Sequence, residues 1–83
     1  MENEVEKVGY TLMSIRQRDL PYRSAPLIKK YRKQKKLTQY QLALRLGVSR
    51  SCVANWEAHL RAPTVEQYCA LAKILDVNVG DLF

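Results

Sequence analysis

Residues 37–57 read LTQYQLALRLGVSRSCVANWE, and this stretch decides the fold. Thr38 is a good N-cap, and Gln41 three residues later completes a capping box, which predicts a helix beginning at about residue 39. Gly47 predicts the end of that helix, because glycine tolerates the left-handed backbone at a helix C-terminus. Ser49 is suited to cap a second helix. The stretch therefore predicts two short helices joined by a tight turn.

The apolar residues of the stretch predict the same arrangement. Leu42, Ala43 and Leu46 recur at helical spacing in the first helix. In the second helix Val53 and Trp56 form the inward face, which makes Trp56 a core residue rather than a stacking platform. Two helices related in this way form a helix-turn-helix, whose second helix is shaped to enter the major groove of DNA.

The chain also resembles a known family over most of its length. From about Ala25 to Phe83 it is similar to the Cro/C1-type (XRE, lambda-repressor-like) helix-turn-helix family. The residues that carry the resemblance are Arg32, 37–39, 42–43, 47–49, Val53, 56–57, Pro63, 71–72 and 75–77. It implies a compact all-α domain of five helices at residues 25–83, preceded by an N-terminal extension at residues 1–24.

The first helix of the domain precedes the two helices of the motif and is predicted at residues 25–35. Ser24 is its expected N-cap, and Pro26 lies in the first turn, where a missing N–H has no consequence. Residues 20–22 are expected to break the chain before this helix. Its predicted inward face is Leu27, Ile28 and Tyr31.

Two more helices are predicted after the loop at residues 58–63. The fourth begins after Thr64, which forms a capping box with Gln67. Its expected core residues are Val65, Tyr68, Leu71, Ala72 and Leu75. Asn78 is expected to cap a last short helix, whose final residues, Leu82 and Phe83, close the core or meet a partner.

The N-terminal extension carries an apolar stripe. Its members are Val5, Val8, Leu12 and Ile15. This spacing predicts an amphipathic helix over residues 4–16, although Val, Tyr, Thr and Ile also suit a strand over residues 8–15. We favour the helix. The stripe packs on its own domain or forms the seam of a dimer, and we lean towards the dimer because the stripe is narrow and heptad-like.

Composition is consistent with a small basic domain. The chain has 83 residues and a formal net charge of +6. Between residues 20 and 61 ten basic residues accompany a single acid, Glu57. This distribution favours a polyanionic partner. Cys52 and Cys69 are interpreted as buried thiols of a reducing compartment rather than as a disulfide. Without a membrane span or a signal sequence, we expect a cytoplasmic protein.

The resemblance implies that the outward face of the second helix of the motif contacts base edges in DNA. The residues concerned are Arg50, Ser51, Ala54 and Asn55. Arginine can hold guanine with two hydrogen bonds, asparagine can do the same for adenine, and an alanine can touch a thymine methyl group. For Ser51 and Ala54, simple exposure is as good an interpretation as base contact.

Other residues are expected at the DNA backbone or in the scaffold. The expected phosphate contacts are Gln39, Ser49, Arg45, Arg61 and His59. His59 departs from the family, which often has glycine there with a positive φ. It is expected to cap the end of its helix or to contact phosphate. Arg32 and Glu57 match a family ion pair that bridges the first and third helices.

These features favour a sequence-specific double-stranded DNA-binding regulator, expected to be a repressor that binds a pseudo-palindromic operator as a homodimer. The alternative is an antitoxin-type or other protein-interaction module that binds a partner protein through residues 1–24. An enzyme is not expected, because the sequence has no catalytic triad, paired carboxylates, metal-ligand spacing or phosphate-binding glycine loop. No cofactor or metal is expected.

Overall fold

The computed structural model describes residues 19–83 of the chain. Four α-helices occur in this part: α1 (Leu20–Gln34), α2 (Gln39–Leu46), α3 (Arg50–Glu57) and α4 (Val65–Leu75). A short 3-10 helix, Val79–Leu82, follows them. Residues 19–83 contain no strand, so the prediction of an all-α fold is confirmed for them. The helix or strand predicted for the N-terminal arm lies outside the described residues.

The turn between α2 and α3 has the predicted chemistry. The Thr38 hydroxyl accepts from the Gln41 amide N–H at 3.0 Å, and the Gln41 side chain accepts from the Thr38 N–H at 2.9 Å. Gly47 ends α2 with a φ of 73°, in the left-handed region. The Ser49 hydroxyl accepts from the Cys52 amide at 3.1 Å and so caps α3. The capping boxes and the glycine turn predicted from residues 37–57 are therefore present.

The core lies between the inward faces of all five elements. Leu42, Ala43, Val53 and Trp56 are buried as predicted, and Trp56 is only 2% exposed. The other elements complete the core with Ile28, Leu37, Tyr68, Leu71, Ala72, Leu75, Val79 and Leu82. The prediction that Val65 packs in this core is wrong, because Val65 is 40% exposed. It continues the helical spacing of α4, but as its first residue it has no preceding turn of helix to cover it.

The predicted start of the first helix at residue 25 is wrong, since α1 begins at Leu20. Ser24 is not its N-cap but a buried residue within it, whose hydroxyl lies 2.5 Å from the Tyr68 hydroxyl of α4. Pro21 occupies the first turn, where proline is tolerated. Pro26 lies inside the helix and removes one backbone hydrogen bond.

Burial explains why α1 extends through two prolines. Residues 20, 24, 28 and 32 are all buried, and their spacing of four places them on one face of a helix. The carbonyl that Pro26 leaves unbonded belongs to Tyr22, an exposed residue that water can reach. Packing of the extra turn therefore outweighs the loss of one backbone hydrogen bond at an exposed residue.

Leu82 closes the core at the end of the described chain, which is one of the two alternatives considered for residues 82 and 83. The Thr64–Gln67 capping box begins α4, and Asp76 ends it in the left-handed region. The last predicted helix is a 3-10 turn rather than an α-helix: the Asp81 N–H donates to the carbonyl of Asn78, three residues earlier. Gly80 within this turn gives little support to a longer helix.

Aromatic contacts hold this last element in place. Leu82 is fully buried, and the Phe83 ring meets the Tyr68 ring edge to face at a centroid distance of 5.0 Å. Burial raises the pKa of the Tyr68 hydroxyl, and its hydrogen bond with Ser24 offsets part of that rise. Tyr68 thus connects α1, α4 and the C-terminal turn.

No helix within residues 19–83 has the length and apolar character needed to cross a membrane. Cys52 and Cys69 are free thiols, and both are half-buried against the core.

Candidate nucleic-acid interface

The outward face of α3 is the centre of the candidate site. Val53 and Trp56 of this helix are buried, which turns the opposite side to solvent. Arg50 and Ser51, in its first turn, are exposed, and Ala54 and Asn55, one turn later, are half-buried. The four residues expected at base edges thus lie away from the core, and the first two are the most accessible.

An ion pair at the C-terminal end of α3 joins three parts of the fold. The Arg32 Nε donates to Glu57 Oε2 at 2.6 Å, and its Nη2 donates to Glu57 Oε1 at 2.8 Å. The third nitrogen, Nη1, donates to the carbonyl of Leu37 at 2.8 Å. Arg32 of α1 therefore holds both the end of α3 and the turn that leads into α2.

This pair is shielded from water. The Arg32 and Glu57 side chains are only 10% and 4% exposed. The hydrogen bond to Glu57 raises the pKa of the Arg32 guanidinium, although burial acts in the opposite direction. Because the Arg32 charge balances that of Glu57, the only acid between residues 20 and 61 does not offset the nine other basic residues of that segment.

Gln39 has partners that sequence reasoning missed. As the first residue of α2 it was expected to face a phosphate, but its side chain lies between two protein groups. Its Nε2 donates to Glu57 Oε1 at 3.3 Å, and its Oε1 accepts from Arg50 Nη1 at 3.2 Å. No sequence signal indicates these contacts, because they join residues 18 and 11 positions apart on different helices.

The remaining candidate phosphate contacts lie around this centre. Arg45 is exposed in the last turn of α2, and Arg61 is exposed in the loop that follows α3. Ser49 is exposed, and its oxygen is used as the cap of α3. A hydroxyl that accepts in this way still has its own hydrogen to donate.

His59 has the backbone expected at the glycine position of the family. Its φ is 64°, in the left-handed region that histidine adopts more readily than bulky residues do. Its ring is stacked on Tyr22 of α1, with centroids 5.4 Å apart and planes inclined by 20°. No local sequence signal indicates this aromatic partner.

The structure shows no metal-binding arrangement in its described part. Within residues 19–83, no group of three His, Cys, Asp or Glu side chains is placed to hold an ion.

The fold and this surface define the class of protein. A family model described as helix-turn-helix matches residues 28–82. The chain therefore belongs to the helix-turn-helix family of the Cro/C1 type, which confirms the resemblance carried by residues 25–83.

Two curated relatives come from Bacillus subtilis (strain 168), and each is named an uncharacterized HTH-type transcriptional regulator. The chain is 40% identical to YqaE over 55 residues, which cover 66% of this chain and 47% of YqaE. It is 35% identical to YobD over 52 residues, which cover 63% of this chain and 46% of YobD. The chain thus spans about half the length of these relatives. Comparison with solved structures gave no match.

Proposed function

We propose that the protein is a sequence-specific regulator of transcription that binds double-stranded DNA, acting as a repressor on a pseudo-palindromic operator. The observation that carries the proposal is the exposed first turn of α3, on a helix held by a buried ion pair whose Glu57 is the only acid between residues 20 and 61. Such a helix fits the major groove, which is wide enough to admit it. The names of the two relatives are consistent with this role.

The outward face of α3 would read bases. Arg50 offers a planar fork of donors that matches the O6 and N7 acceptors of guanine, and Asn55 can pair in the same way with adenine. Ala54 offers a methyl group to thymine, and Ser51 can bond to any base. Of the four, Arg50 is the residue whose loss we expect to change base preference most.

The starts of α2 and α3 would hold the DNA backbone. Neither helix has an acidic residue in its first turn, whereas α4 has Glu66 there. A helix N-terminus without its own acid leaves its positive dipole end, and the N–H groups that its cap does not use, available to a phosphate. We propose phosphate contacts from Gln39 and Ser49 at these helix starts, and from Arg45, at the end of α2, and His59 and Arg61, after α3. These contacts would position the protein without reading sequence.

Selection from randomised duplexes tests the proposal directly. We expect the full chain to enrich a short, two-fold symmetric sequence, and its affinity for that sequence to fall steeply as salt is raised. An unrelated duplex of the same length is the control. Binding without any sequence preference, or none at all, would contradict the proposal and favour the alternative of a protein-interaction module.

The two-fold symmetry requires a homodimer, for which we propose the N-terminal arm as the interface. Deleting residues 1–18 is expected to give a folded monomer with weaker operator affinity, because the two half-sites are no longer bound together. The deletion leaves α1 complete, since that helix begins at Leu20. Sedimentation equilibrium at micromolar concentration measures the mass.

A truncated protein that stays dimeric would place the interface elsewhere. The second interface that the sequence suggests consists of Leu82 and Phe83. Leu82 is fully buried within its own domain. Phe83 is half-buried and packs on Tyr68, so it is the one left to contact a partner.

A further inference from the structure

The stack of Tyr22 on His59 joins two distant parts of the chain at the surface. The ring centroids are 5.4 Å apart and the planes are inclined by 20°, a distance within the favourable range for offset stacking. Tyr22 lies in the first turn of α1, and His59 lies in the loop after α3. Both side chains are exposed, Tyr22 to 67%. The stack therefore connects the start of α1 to the loop next to the candidate interface, outside the core.

The backbone of the loop fixes the point from which the His59 side chain extends. The N–H of Leu60 donates to the carbonyl of Asn55 at 3.0 Å. On the other side, the N–H of Ala58 donates to the carbonyl of Ala54 at 2.9 Å. Because the backbone is held on both sides of His59, only the two side-chain torsions of the histidine are left to be ordered.

Tyr22 is held by the packing of α1. Leu20 and Ser24, two residues before and two residues after it, are buried in the domain. The first turn of α1, which begins at Leu20, thus brings the tyrosine ring opposite His59. A ring anchored in this way can order the imidazole stacked on it.

The stacked imidazole keeps its polar edge for another partner. Stacking uses the face of the ring, whereas both nitrogens lie at its edge. A neutral imidazole has one N–H donor and a charged imidazole has two, so His59 can donate to a phosphate oxygen in either state. Arg61, two residues later and exposed, adds positive charge to the same loop.

Neither member of the pair belongs to the family pattern. Tyr22 precedes residues 25–83, which carry the resemblance, and His59 stands where the family often has glycine. Glycine adopts a positive φ at less cost than histidine does. The histidine therefore adds a polar ring at a position where the backbone alone favours glycine.

We propose that Tyr22 is a positioning residue for binding of the DNA backbone, and that its ring holds the His59 imidazole in the orientation that contacts a phosphate. This inference rests on the proposed function, in which His59 is a phosphate contact, and deepens it by adding a residue of α1 to the interface. A side chain that is already ordered loses less conformational freedom on binding. Since phosphates carry no sequence information, the pair adds affinity without base preference.

The variant Tyr22→Leu tests the proposal, because it removes the ring but keeps an apolar side chain of high helix propensity. We expect its affinity for the selected operator and for single-base variants of it to fall alike, by about 2- to 5-fold, the size expected for ordering one side chain. Tyr22→Phe is the matched control, since it keeps the ring and loses only the hydroxyl, and it should bind as the unchanged chain does. An equal loss in both variants would mean that the Tyr22 hydroxyl contacts DNA itself, and would overturn the proposal. Titrations at constant salt measure these affinities.

The variant His59→Gly separates positioning from an independent effect of Tyr22. Glycine adopts the positive φ of this position readily, so the loop should keep its conformation. We expect His59→Gly to lose at least as much affinity as Tyr22→Leu does. Adding Tyr22→Leu to it should cause no further loss, because the group that Tyr22 positions is gone. Additive losses would show that the two residues act separately and would contradict the proposal.

A second measurement needs no DNA. His59 is the only histidine of the chain, so its ring protons are identified directly in a proton NMR spectrum. The ring current of Tyr22 should displace these resonances from the values of histidine in an unfolded peptide. Tyr22→Phe should preserve the displacement and Tyr22→Leu should abolish it. Unchanged resonances in Tyr22→Leu would overturn the role of Tyr22.

The outcomes distinguish this inference from the proposed function. If His59→Gly binds as the unchanged chain does while Arg50→Ala flattens base preference, His59 contacts no phosphate and the inference is wrong, but the function stands. If the unchanged chain binds no duplex, the proposed function fails and this inference fails with it. Sedimentation equilibrium of Tyr22→Leu should give the mass of the unchanged chain. A lower mass would place Tyr22 in the dimer interface instead and would also overturn the inference.

Discussion

Replacing Glu57 with glutamine is expected to lower the free energy of unfolding by about 3 kcal/mol, towards the lower end of what breaking a buried ion pair costs. The loss arises because the Arg32 charge stays buried without its counter-charge. The value lies at the lower end because glutamine still offers one oxygen as an acceptor. Urea denaturation of both proteins measures the difference. Glu66→Gln, a change at an exposed position, is the control and should cost less than about 1 kcal/mol.

A double-mutant cycle separates the ion pair from other effects of the substitution. Arg32→Met combined with Glu57→Gln should be more stable than the sum of the single losses predicts, because no charge is then left buried. The Leu37 carbonyl loses its Arg32 donor in this variant, so recovery should be partial. Strictly additive losses would mean that the two side chains do not interact.

Replacing Arg50 with alanine is expected to cost about 1–3 kcal/mol of binding free energy on the preferred operator. It should also flatten base preference at one position in each half-site. The physical reason is the position of Arg50 in the exposed first turn of α3, the part of a recognition helix that meets base edges. Selection from randomised duplexes with the variant, at two salt concentrations, measures both effects.

Arg45→Ala and Arg61→Ala provide the contrast to this result. Both residues are exposed and lie outside the outward face of α3, so we propose that they meet phosphates. Each substitution should weaken all sequences alike and reduce the salt dependence by about one unit. If Arg50→Ala behaves like them and keeps the wild-type base preference, Arg50 is itself a phosphate contact and our interpretation of α3 is wrong.

Several parts of the fold were predictable because they depend on residues close together in the chain. A capping box joins residues three apart, so Thr38 with Gln41 and Thr64 with Gln67 mark the starts of α2 and α4. The left-handed end of α2 at Gly47 is equally local. Helical periodicity then separates the buried side of α3 from its outward face.

Other features depend on packing between distant parts of the chain. The sequence around Ser24 and Pro26 is typical of a helix start, yet α1 begins at Leu20, because burial of its extra turn and the bond from Ser24 to Tyr68, 44 residues away, outweigh the local signal. At the two capping boxes, packing does not oppose the local signal, and both helices begin where the sequence predicts.

By itself, then, the sequence determined the family, the helix-turn-helix and the face of α3 that is turned to solvent. Only the tertiary structure decided where α1 begins and what the Gln39 side chain binds. The bounds of α2 and α3 follow from hydrogen bonds made within one helical turn. The partners of Gln39 follow from the crossing of three helices, which brings Arg32 to Glu57 across 25 residues and leaves the amide between that pair and Arg50.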